Sequence, residues 1–150
     1  MRGKSGKEVE FGGKASLSCV DGYLFLDKYS YDAFHEGTIL KENIKAHKKR
    51  FGREPEVVIT DKIYGSLENR KMLKDKEIKA SLVPLGRKCE RTKEEEKWIR
   101  QKQNERSEIE GKIGTSKTRY GLERILYKND EIAVMLGLIS MNLSTAMARI

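Results

Sequence analysis

Val9, Phe11, Gly13, Ala15, Leu17 and Cys19 fall on alternate positions, with Glu10, Lys14, Ser16 and Ser18 between most of them. A period of two is that of a half-buried strand, so the first element this pattern predicts is a β-strand. Asp21-Gly22 breaks the alternation, and Tyr23-Leu24-Phe25-Leu26 resumes an apolar run. An Asp-Gly pair supplies the positive φ angles of a two-residue turn, so the two runs are expected to form an antiparallel hairpin.

A polar loop containing Asp32, His35 and Gly37 then leads to Thr38, a residue suited to cap a helix. Leu40, Ile44, His47 and Phe51 follow at helical spacing, and Gly52 and Pro55 end that helix. Glu56 to Thr60 is short and β-branched, the pattern of a central strand, and it ends on Asp61. A helix over 66–76 and a strand over 78–83 complete a strand–helix–strand–helix–strand order. Pro84-Leu85-Gly86-Arg87-Lys88 reads as a basic loop. Thr92 with Glu95 three residues on has the form of a capping box, opening a helix charged almost all round as far as Ile109. A glycine-interrupted stretch follows, and Asn129-Asp130 is placed to cap a last helix that is apolar on most sides. Its apolar run, Ile132 to Leu143, is shorter than the roughly 20 residues a bilayer-spanning helix needs, and Ser140 and Asn142 interrupt it. A core helix packed on the sheet is expected, with no membrane partner. The sum is one domain of α/β class: a mixed sheet with an N-terminal hairpin and flanking helices.

Charge adds a partner to this picture. Lys and Arg number 31 against 23 Asp and Glu, a formal net charge of +8. Such a surplus favours a polyanion, most simply nucleic acid, because each phosphate neutralised releases a condensed counterion. It also fits a basic protein whose charge only prevents aggregation. Cys19 and Cys89 form no C-x-x-C pair, and no zinc pattern can be built around His35 and His47. Two reduced thiols and a polar, basic start at Met1–Lys7 with no apolar stretch behind it point to a cytoplasmic protein.

Two clusters carry candidate chemistry. Asp61 stands at the C-terminal end of the expected central strand, the edge where open α/β sheets bind ligands, and a carboxylate there can hold a hard cation such as Mg²⁺. A cap aspartate before Lys62 and Tyr64 accounts for the same residue. Arg106, Glu110 and Lys117 lie within about 40° on one helical face, a carboxylate between two cations. That arrangement suits a metal flanked by phosphate contacts. Salt bridges four residues apart on an exposed helix would give the same spacing. Gly111 and Gly114 lower helix propensity, which would leave Lys117 past the helix end.

In order along the chain stand Glu10-Phe11-Gly12-Gly13-Lys14, Thr60-Asp61-Lys62-Ile63-Tyr64, Ile109-Glu110-Gly111-Lys112-Ile113-Gly114 within the Arg106–Lys117 spacing, and Met141-Asn142-Leu143. Together these resemble the DDE transposases of bacterial insertion sequences, in the branch whose last acid lies in a Tyr-Arg-Glu-Lys signature. The resemblance implies a partial ribonuclease H-like fold and Mg²⁺-dependent DNA cleavage and strand transfer by an Asp, Asp, Glu trio. Asp61 would be the second acid and Glu110 the third, both metal ligands and catalytic. Arg106, Lys117, Lys62, Arg87 and Lys88 would contact DNA at the element ends and target. Two departures follow. Gln103 stands where the signature has Tyr, three residues before Arg106. The family's first acid lies on a strand before the hairpin, and Asp21, Asp27 and Asp32 are not placed to replace it. The expectation is a transposase fragment inactive by itself, associating with itself or with a full-length transposase through exposed sheet edges. The rivals are a non-catalytic DNA-binding or transposase-inhibiting module, and a basic structural protein in which Asp61 and Glu110 are only surface charges.

Overall fold

A computed structural model describes residues 13–82, 92–122 and 129–150. The alternation from Lys14 and the apolar run after the turn form strands β1 (Lys14–Val20) and β2 (Tyr23–Ser30), paired antiparallel. Val9 and Phe11, where the alternation starts, lie outside the described residues. Asp21 and Gly22 have φ of 50° and 81°, the left-handed pair that a two-residue turn requires. The second strand continues four residues past the apolar run, to Ser30, because Lys14, Ala15 and Ser16 still find partners there. Between Ser16 and Leu17 the register shifts, which leaves Asp27 as an extra residue in β2. Such a bulge turns a side chain out of the pleat. Here it buries the Asp27 carboxylate, 1% exposed, against Arg50, whose Nη1 donates to Oδ1 over 2.6 Å. Asp27 thus lies within β2, and its Oδ2 is buried with no partner among the described residues.

A short 3₁₀ turn, Glu36–Thr38, precedes α1 (Leu40–Phe51). Thr38 does not cap α1. Its Oγ1 donates to the His35 carbonyl within the 3₁₀ turn, and Ile39 takes the cap position without a side-chain bond. Gly52 closes α1 in the left-handed region, as expected. Then come β3 (Val57–Val58), the 3₁₀ turn Lys62–Tyr64, α2 (Leu67–Asp75) and β4 (Lys79–Ala80). Strands β3 and β4 pair in parallel over two residues each. The described strands therefore make two separate two-stranded sheets rather than one mixed sheet, because no ladder joins β1 or β2 to β3.

Thr92 and Glu95 form the capping box, with bonds of 3.2 and 3.1 Å, and start α3 (Lys93–Arg119). This helix does not stop near Ile109. It runs unbroken for 27 residues through Gly111 and Gly114, so Lys117 lies within it. Asn129 caps α4 (Asp130–Met147). Each sheet has its own apolar cover. Leu40, Ile44, Leu73, Ile78 and Leu82 form one buried cluster, beside β3 and β4. Leu24, Val134, Leu138 and Met141 form the other, between the hairpin and α4. No helix among the described residues is long and apolar enough to cross a membrane.

Candidate functional site

Asp61 follows β3 at the C-terminal edge of the parallel pair. Its Oδ1 accepts a 2.6 Å bond from the Lys62 backbone N–H, so it caps the 3₁₀ turn that comes next. The cap reading of Asp61 is therefore correct, and it fixes where the carboxylate points. The turn itself is anchored by Asn69, buried in α2, whose Nδ2 donates to the carbonyls of Gly37 (2.6 Å) and Tyr64 (2.9 Å). Gly37 is needed for this junction, since a Cβ there would stand 2.4 Å from the Ile63 carbonyl oxygen.

Helix α3 passes across the same edge. Gln103 Nε2 donates to the Ser81 carbonyl (2.5 Å) and hydroxyl (3.1 Å) and reaches the Thr60 carbonyl at 3.5 Å. One amide thus ties α3 to the chain leaving both β3 and β4. Ser81 is fully buried, so this tie is shielded from water. Gln103, noted in the sequence only as a departure from the signature, is a positioning residue.

One turn further on, Arg106 completes the arrangement. Its Nη1 lies 3.0 Å from Asp61 Oδ1 and its Nη2 2.8 Å from Glu110 Oε1. The two acids, distant in sequence, sit at the two ends of one guanidinium fork. Their nearer oxygens are then no more than about 8 Å apart, given the width of that fork. The Lys62 N–H and then Arg106 hold the Asp61 carboxyl below the usual aspartate range, against partial desolvation. Asp61 in turn raises Arg106, and Glu110 adds to the effect. Both carboxylates remain open, 60% and 62% exposed, against 31% for the arginine. The expected salt bridge four residues apart does form, between Arg106 and Glu110, but it is extended to a third group on another element.

The structure brings Asp61, Arg106 and Glu110 together. Lys62 is exposed beside them, and Lys117 is exposed two turns beyond Glu110 on α3. Arg87 and Lys88, with the basic loop and Cys89, lie outside the described residues. Burial pushes the Cys19 thiol up, which keeps it protonated. Among the described residues, no three or more His, Cys, Asp or Glu side chains form a group able to hold a metal ion.

No curated protein and no solved structure matches this chain. Residues 58–147, from β3 to the end of α4, match a protein-family model described as transposase DDE domain. That stretch contains Asp61, Gln103, Arg106, Glu110 and Lys117 and excludes the hairpin. Membership suggests a divalent metal and implies DNA as a partner. The chain belongs to the transposase DDE domain family, and with it to the proteins of DNA transposition.

Proposed function

We propose that Asp61 and Glu110 are the second and third acids of the family's metal site, in a ribonuclease H-like domain of the Tyr-Arg-Glu-Lys branch. The observation that carries this reading is the Arg106 fork, which bridges two exposed carboxylates from different elements. A cation held between two acids supports this reading, since the same two carboxylates would close on a divalent ion when Arg106 leaves. The donor chemistry fits Mg²⁺: two hard carboxylate oxygens, open to water, with remaining positions left for waters and phosphate oxygens. When bound, Mg²⁺ would activate an attacking oxygen and stabilise a leaving one.

This chain's own residues hold and orient. Asp61 is aimed by its backbone cap, and Glu110 by the helix that Gln103 anchors. Arg106 keeps the two carboxylates from repelling each other, and it must leave at least one of them when a metal is bound. Released, its planar fork suits a phosphate, with Lys117 and Lys62 as further contacts to DNA. By the resemblance, whose first acid none of Asp21, Asp27 and Asp32 is placed to supply, the chain alone is expected to bind DNA and metal without cutting.

The test uses the full chain. Mn²⁺ binding, followed by electron paramagnetic resonance, should fall sharply in both Asp61→Asn and Glu110→Gln. Unchanged binding in both variants would remove the site. Mg²⁺-dependent cleavage of element-end DNA by this chain alone would overturn the inactivity. Full transposase inhibition with no Mn²⁺ binding at all would favour the non-catalytic module.

A further inference from the structure

Lys112 follows Glu110 by two residues, about 200° further round α3, and so faces away from the acids. It reaches the tip of the hairpin, where Arg149, just beyond α4, also arrives. A Cβ on Gly22 would stand 2.7 Å from Arg149 Nη2 and 3.4 Å from Lys112 Nζ. The two cations are then within about 6 Å of each other, where like charges repel. Neither has a carboxylate within 4.0 Å among the described residues. Arg149 is held in place, since Nη2 donates to the Asp21 carbonyl over 2.7 Å and its guanidinium lies 5.0 Å from the Tyr23 ring centroid. Beside them is a cleft of about 380 Å³, bounded also by Thr115, Ser144 and Thr145. Those three hydroxyls donate to helix carbonyls of Gly111, Ser140 and Met141. Their protons are engaged, so an anion there would be held by the cations.

We propose that this cleft is a second contact to the DNA backbone, in which Lys112 and Arg149 hold one phosphodiester on the side of α3 away from Asp61 and Glu110. The proposal rests on the reading of the chain as a DNA-binding transposase domain. Asp21 at the hairpin tip and Glu108 one turn before Lys112 on α3 also act on this corner, through the same Cys19 that Lys112 acts on. Neither forms an ion pair with the two cations, so two converging cations still lower the free energy of a phosphate between them. A cleft open at the surface, with no hydroxyl donors to enclose a free ion, fits a phosphate that arrives as part of a duplex. DNA touching both faces of α3 would be fixed in orientation as well as in place.

Fluorescence anisotropy with a labelled duplex, measured across a salt series on the full chain, tests it. Lys112→Ala and Arg149→Ala should each weaken binding several-fold and lower the slope of log K against log salt by about 1. Lys112→Arg should restore the slope, and Lys112→Gln replaces the alanine variant if that one fails to fold. Unchanged slopes in both single variants, with a reduced slope in Arg106→Gln, would overturn the cleft and leave the proposed function standing. No duplex binding by the unaltered chain would overturn both. In a second arm, the Gly22 amide should shift in NMR spectra on adding duplex and not on adding millimolar inorganic phosphate. A saturable shift with phosphate alone would make this a small-anion site and overturn the DNA contact.

Discussion

The hairpin with α4 and the β3–β4 pair with α1 and α2 both cover a two-stranded sheet, and they do so by different means. The hairpin has seven register pairs, and an apolar helix covers it. Side chains meet part of the β2 backbone: Asn142 accepts from the Leu24 N–H (2.9 Å) and donates to the Leu24 carbonyl (2.7 Å), and Arg50 Nη2 donates to the Leu26 carbonyl (2.7 Å). At Leu24 the amide takes the two bonds that a neighbouring strand would make. The parallel pair has two register pairs, and its strand ends are left free for the candidate site. There the geometry is set by side-chain amides that reach backbone carbonyls, Asn69 below and Gln103 across. Ladder and core secure the first region. In the second, a few directional hydrogen bonds place the acids, because a longer ladder would occupy the edge the site needs.

The largest effects should come from the cores. Leu138→Ala and Leu73→Ala each empty a site that is 3% exposed, and each should cost about 2–5 kcal/mol in urea unfolding. If the two regions form one cooperative unit, both variants unfold in a single transition. A second transition in Leu138→Ala alone would show that the hairpin unit melts by itself. Next come the two amides. Asn142→Ala strips the Leu24 backbone of both partners and should cost about 1–3 kcal/mol. Gln103→Ala should lower the melting temperature less, yet weaken Mn²⁺ binding by about tenfold, as loss of a supporting contact does at metal sites. The contrast breaks if Asn142→Ala reduces Mn²⁺ binding as much.

Arg106→Gln should act in opposite directions on two ligands. Mn²⁺ binding should tighten several-fold, because a competing cation is gone, while duplex binding weakens. Tighter binding of both would mean that Arg106 contacts no phosphate. The smallest effect concerns pH. Asp61 titrates below the ordinary aspartate value of about 3.9, so its contribution to stability is complete above that value. It is lost as pH falls through the depressed folded-state value. In Arg106→Gln the Asp61 midpoint, followed by carboxyl NMR, should move upward, though not fully to the ordinary value, since the Lys62 N–H still donates to it.

Much of this was legible locally. Asp21-Gly22 determines its turn because only certain residues tolerate two positive φ angles, and Thr92 with Glu95 determines a helix start by the reach of their own side chains. The length of α3 was not legible. Gly111 and Gly114 cost helix propensity, but Ser116, 1% exposed, and the contacts around Tyr120 and Leu122 hold the last turns in place. Thr38 misled for a related reason, since its hydroxyl is taken by the His35 carbonyl in a tighter turn. The single mixed sheet was inferred from element order, and order does not specify which edges meet.

For the site, the sequence alone determined which groups exist: an aspartate at a strand end, and an arginine, a glutamate and a lysine on one face of a charged helix. Those follow from residue identity and the 3.6-residue period. Only the tertiary structure decided that the two acids share one arginine, and that Gln103 is the residue holding that helix against both strand ends. It also decided that Lys112 and Arg149, 37 positions apart in the chain, converge at the hairpin tip. Hydrogen bonds between side chain and backbone over such separations depend on the relative placement of whole elements, which no local pattern encodes.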